Sequence, residues 1–249
     1  MMISPEGYYE EHLKGKTAAQ IMTAIRGLKN EMGHLKNIME HPDYGEQTIM
    51  HPSESTRLWC TRLYLERAKE ALAEAGGTYV PSQAELKAAD FEDNIPAISS
   101  LVFSIGGFFS GYETRTYTLA ADYLQMDVDH SLILKPTNFY IEADYPCTKD
   151  EFLDGLRELH IGEWRSKYDL RRFGCMVLDG TQWELEIYFS NGHKPVKISG
   201  DNAYPYNFDR FQELLGIEPD IELEFDSEKY AEDETDNQLQ KAIEVLNQK

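Results

Sequence analysis

The chain has 249 residues, 41% of them hydrophobic and 12% aromatic, so it can bury a sizeable core and is not wholly disordered. Its 44 acidic and 24 basic side chains give a net charge of −20, a field that repels phosphate backbones and anionic lipid and so disfavours direct nucleic-acid or membrane binding. No apolar run approaches the ~18 residues of a spanning helix, and the start (MMISPEGYYEEH) lacks the basic-then-apolar order of a secretory signal, so the expected location is the cytoplasm.

From Thr17 the apolar positions Ile21, Ile25, Leu28, Met32, Leu35 and Met39 alternate steps of four and three, a heptad seam opened by a Thr17/Gln20 capping box. His41-Pro42-Asp43-Tyr44-Gly45 ends this helix because proline cannot continue it. A second seam, Leu58, Thr61, Leu65, Ala68, Leu72 and Ala75, starts near Pro52-Ser53 and stops at Gly76-Gly77. Two matching seams joined by a loop of about a dozen residues predict an antiparallel hairpin over 1–77, whose uncovered face packs on the body or on a second copy as a homodimer. Residues 78–94 read as a linker with a short helix at Ser82–Ala89.

From Ile95 the period changes to two. Leu101, Phe103 and Ile105 point to one face, and Gly106-Gly107 marks a turn or bulge. Further strands are expected at Glu113–Leu119, Ser131–Leu134 and Phe139–Ala143, then an amphipathic helix from Thr148 to Leu159 with Glu151 completing a capping box. Asn191-Gly192 is a strong hairpin signal, and a two-residue loop there pairs Ile187 with Val196, Leu185 with Ile198 and Glu186 with Lys197. Asn207 is placed to cap a short helix carrying Phe208, Phe211 and Leu214. Beyond Pro219 the chain is densely acidic to Asp236; Ile221, Leu223 and Phe225 alternate there as an edge strand, and Asn237 to Lys249 form a weak terminal helix. The predicted fold class is α+β: a helical hairpin (1–77), a linker (78–94), a mainly antiparallel sheet with packed helices (95–217) and an acidic C-terminal segment (218–249).

Cys60, Cys147 and Cys175 are odd in number and far apart, and read as buried free thiols. Phosphate loops, nucleophile elbows, HExxH and calcium loops are absent from the sequence, so no catalytic residue, metal ligand or cofactor is assigned. A metal site could be drawn from His41, Asp43 and His51, but ordinary loop roles are favoured, and carboxylate pairs such as Asp127/Asp129 arise by chance among 44 acids. Tyr204 and Tyr206, flanking Pro205, either form a recognition patch or cover the end of the sheet.

The layout Tyr8-Tyr9, helix, His41-Pro42-Asp43, helix resembles J-domain co-chaperones over residues 8–75, which implies stimulation of a heat-shock chaperone ATPase through that tripeptide. The stretch LDGTQWELEIYFSNGHKPVKISGDNAYPYNFDRFQELLGI (Leu178–Ile217), preceded by Glu163-Trp164, is similar to accessory proteins of unknown function encoded in bacterial genomes and mobile elements. HPDYG and LERAKEALAEAGG resemble proteins of the same setting, and the resemblance implies context without assigning functional residues. The expected function is a non-catalytic protein-interaction role: an acidic inhibitor or decoy of a basic nucleic-acid-binding protein, of anti-CRISPR or anti-restriction type. Its expected partner-binding residues are Glu222, Glu224, Asp226, Asp233, Glu234, Tyr204 and Tyr206. The alternatives are a hydrolase or nuclease with a site assembled from distant residues, and the co-chaperone.

Overall fold

The computed structural model describes residues 3–45, 52–120, 123–134, 148–175 and 180–217, together with the backbone of 141–143. Residues 1–214 form one compact unit, which holds every described helix and strand, and 215–249 form a second, of which only 215–217 are described.

The chain opens with a short helix, α1 (Pro5–Tyr8), that widens into a single π-helical turn, Tyr9–Leu13, closed by Lys14 N–H donating to the Tyr9 carbonyl. The extra residue turns Leu13 fully inward while Tyr8 stacks on Tyr64 at 4.5 Å and Tyr9 lies under the Arg67 guanidinium. Next come α2 (Ala18–Met39) and α3 (Glu54–Glu74). Thr17 and Gln20 form the expected capping box, and Ser53 caps α3. Ile21, Ile25 and Leu28 pack with Leu65, Ala68 and Leu72, while Leu35 and Met39 meet Leu58, so the two seams run antiparallel in register. Gly76, at φ +75°, and Gly77 close α3 with N–H bonds back to Ala73 and Leu72.

The helix foreseen near Ser82 extends further, as α4 (Gln83–Asn94), again with a capping box, between Ser82 and Glu85. Among the described residues the sheet has seven strands: β1 (Ile98–Gly107), β2 (Gly111–Leu119), β3 (Leu124–Ser131), β4 (Ile141–Ala143), β5 (Lys167–Asp169), β6 (Gln182–Phe189) and β7 (Val196–Asp201). Their order is β4-β3-β2-β1-β6-β7-β5, antiparallel throughout except for the short β5–β7 pair. The hairpin at Asn191-Gly192 has the expected register, with Ile187 opposite Val196, Leu185 opposite Ile198 and Glu186 opposite Lys197. The fold is therefore α+β, as the change of period implies.

Helices α5 (Lys149–Glu158) and α6 (Phe208–Leu214) supply the aromatic layer over one sheet face. Phe152 stacks on Tyr117 at 5.2 Å, and Phe208 and Phe211 meet Phe103 edge-on. Trp183 lies fully buried among Phe103, Tyr168 and Phe208. Gly200 opposite it is required by space: a Cβ there would sit 2.1 Å from Trp183 Nε1. Gly200→Ala should therefore lower stability by about 1–3 kcal/mol through forced repacking, read as a drop in melting temperature; an unchanged melt would show that the ring can shift freely.

Three expectations are corrected. The third strand is Leu124–Ser131, and 132–134 is a bend, because the chain leaves the ladder at Ser131 as its hydroxyl accepts the Ile133 N–H. Asn207 turns its amide to the core, accepting from Trp164 Nε1 at 3.0 Å and donating to the Leu159 carbonyl at 2.8 Å. Cys60 is buried, but Cys175 is exposed just past the left-handed Gly174. Cys147, the strand expected at 221–226 and the terminal helix expected from Asn237 lie outside the described residues.

Candidate functional site

The end of the sheet where β1 passes to β2 is built by glycines. Gly107 pairs with Gly111, and a Cβ on Gly106 would lie 2.1 Å from the Gly111 carbonyl. Gly111 sits at φ +76°, where a Cβ would press to 2.7 Å from the Ser131 carbonyl. This close approach brings the β1–β2 turn beside the bend after β3. Phe108 and Phe109 project from the turn, edge-to-face at 5.2 Å, and Leu132 and Ile133 from the bend. Their exposures are 76%, 83%, 79% and 67%, so four large apolar side chains face solvent at one end of the sheet. A groove of about 540 Å³ runs between the two loops, floored by Gly111 and Ser131 and rimmed by Tyr112, Glu113 and His130.

The sheet face opposite the aromatic core is polar. The register aligns Asp129, Thr114, Ser104 and Glu184 in one row across β3, β2, β1 and β6, with Asp127, Thr116, Val102 and Glu186 in the next. Ser104 and Thr114 hydroxyls bond at 2.7 Å, and Asp129 Oδ1 is buried without a hydrogen-bond partner among the described residues. Two carboxylates thus stand in each of these rows, and a row of Ser131, Tyr112, Gly106 and Gln182 separates them from the apolar end.

A second concentration of charge joins the hairpin to the body. Glu163, in the 3₁₀ turn after α5, takes both Arg62 guanidinium nitrogens at 2.6 Å and also the Lys36 ammonium. Burial pushes the Glu163 carboxyl upward, but Arg62 and Lys36 overcome it and hold it at about 2. Glu40, at the C-terminal end of α2, receives Arg165 and Arg172. Lys29 bonds Glu85 at 2.6 Å and the Tyr79 hydroxyl at 3.1 Å; burial opposes ionisation of Glu85, yet Lys29, Tyr79 and the Ser82 cap bring it to about 2.

Of the expected partner-binding residues, Tyr206 accepts from Arg62 at 2.9 Å beneath Lys36, and burial pushes its hydroxyl well above the usual value. Tyr204 leans on Phe208 at 4.8 Å and is partly buried. Glu222, Glu224, Asp226, Asp233 and Glu234 lie outside the described residues. In the tripeptide loop, Asp43 N–H donates to His41 Nδ1 at 3.2 Å, and the His41 ring meets Phe173 edge-on; His51 is outside the described residues. The apolar end escapes the sequence reading, which marks Gly106-Gly107 as a turn and passes over the Phe108-Phe109 pair beside it. Two phenylalanines inside a glycine-bounded turn are the available signal.

No family model, curated protein or solved structure matches this chain. Among the described residues no helix is long and apolar enough to cross a membrane.

Proposed function

We propose that this chain is a non-catalytic interaction protein that docks on a basic, nucleic-acid-binding surface of another protein and blocks it as an inhibitor or decoy of anti-CRISPR or anti-restriction type. The observation that carries the reading is the exposed cluster of Phe108, Phe109, Leu132 and Ile133 at one end of the sheet. Exposed apolar side chains of this size gathered at one end of a sheet are costly to leave in water and mark contact surfaces. Charge complementarity selects the partner: with a net charge of −20 and Asp127, Glu184 and Glu186 on the same sheet, the approach of a basic surface is favoured and that of an acidic one opposed.

The test compares capture from a bacterial lysate by the wild-type chain and by Phe108→Ser/Phe109→Ser, followed by affinities for the purified partner across a salt series. The double variant should fold normally, since both rings are solvated, yet bind about tenfold or more weakly. Neutralising Glu222, Glu224, Asp226, Asp233 and Glu234 should flatten the salt dependence. A partner bound equally well by both variants and at all salt concentrations would overturn the reading. So would a self-associating dimer lost on Phe108→Ser/Phe109→Ser.

A further inference from the structure

A cavity of about 610 Å³ lies between the hairpin and α4, within the range of small-molecule sites, which run from about 300 to 1,000 Å³. Met32 and Leu65 form apolar wall on the hairpin side, and Ala88 faces them from α4. Four cations reach the same cavity, Lys29 and Lys36 from α2 and Arg62 and Lys69 from α3, in a chain where acids outnumber bases 44 to 24.

Among the side chains that line the cavity the cations exceed the carboxylates by one, four against Glu66, Glu85 and Glu163, while Glu40 and Glu92 act on Lys36 and Arg62 from outside the lining. Lys29 has Glu85 and Lys69 has Glu66 at 2.8 Å, but Lys36 and Arg62 share the single carboxylate of Glu163. Burial, and to a lesser degree the neighbouring Arg62, push the Lys36 ammonium below its ordinary value, with Glu163 and Glu40 restoring only part. His160, held in the left-handed region at φ 50°, borders the same floor; burial and then Arg62 push its pKa down, so it stays neutral and adds no cation.

We propose that this cavity binds a small organic carboxylate, its head group at Lys36 and Arg62 and its apolar body against Met32, Leu65 and Ala88. One negative charge offsets the excess of cations in the lining, and charge-assisted hydrogen bonds to a partly buried ammonium are strong. A neutral ligand leaves the excess charge unmet, and a cation adds to it. The site is separate from the apolar end of the sheet, so the two readings stand or fall independently.

The test is a calorimetric titration of the full chain with decanoate, decan-1-ol and decyltrimethylammonium. Decanoate alone should bind saturably, one to one. Gly33 opens onto the cavity from α2, and a Cβ there meets nothing within 4 Å, so the backbone accepts a side chain and Gly33→Leu should narrow the space. That variant should melt no lower than the wild type while losing about tenfold or more in decanoate affinity. Lys36→Gln, which leaves Glu163 its Arg62 partner, should lose a similar factor of about ten. Absence of saturable decanoate binding, equal affinity for decan-1-ol, or affinity unaffected by Gly33→Leu would each overturn the proposal.

Discussion

Glu163→Gln should lower the free energy of unfolding by about 3–5 kcal/mol at neutral pH, the cost typical of removing one side of a buried ion pair. The amide keeps the shape of the side chain but deprives Arg62 and Lys36, both largely buried, of the one carboxylate that bonds them both. The same carboxyl predicts a pH dependence. Its folded pKa of about 2 lies below its ordinary value of 4.5, so it contributes stability that is fully present above pH 4.5 and is lost as pH falls through 2. That contribution is worth about 3 kcal/mol. Glu85, also held at about 2, adds to the loss in the same window. Urea denaturation at pH 7, 5 and 3 should show wild-type stability falling toward acid, and a shallower fall in Glu163→Gln. A variant within about 0.5 kcal/mol of wild type at pH 7 would mean that the network is solvated and contributes little.

Trp183→Ala should cost about 3–5 kcal/mol. The indole is fully buried, its Nε1 donates to the Ala203 carbonyl at 3.0 Å, and its ring meets Phe103, Tyr168 and Phe208 with centroids 5.0–6.4 Å away. Truncation removes a large apolar area from the core, strands a buried acceptor and leaves a void that flanking strands cannot close. Trp183→Phe keeps much of the volume and should lose less, mainly the bond to Ala203. Equilibrium denaturation followed by far-UV circular dichroism separates the two. A loss below about 1 kcal/mol for the alanine variant would place the indole outside the cooperative core.

Elements whose cause is local could be read from the sequence. The seams of α2 and α3 follow from apolar spacing, their starts from Thr17 and Ser53, and the β6–β7 register from Asn191-Gly192, because each depends on residues a few positions apart. Features created by distant pairing were not legible. Asn207 carries a sound capping signal, yet Trp164, 43 positions away, claims its amide. Glu163 stands beside His160 in sequence, but its importance comes from Arg62, 101 positions away, and nothing local separates it from the other acids. The apolar end needs the β2–β3 pairing to bring Leu132 near the turn carrying Phe108, so neither segment announces it alone.

The central pairing of β1 with β6 also has a kinetic meaning. It joins residues 98–106 to 182–189, with β2, β3, β4, α5 and β5 all lying between them in the chain. The helical hairpin closes over a short span and leaves the ribosome before the strands, so it can form while the sheet is still being synthesised. The sheet must wait: a long loop is closed before β1–β6 contacts repay its entropy, and closure of this kind slows folding. Until Gln182–Phe189 arrive, β1 has one unpaired edge, and the interval before docking is when this chain is most exposed to wrong partners.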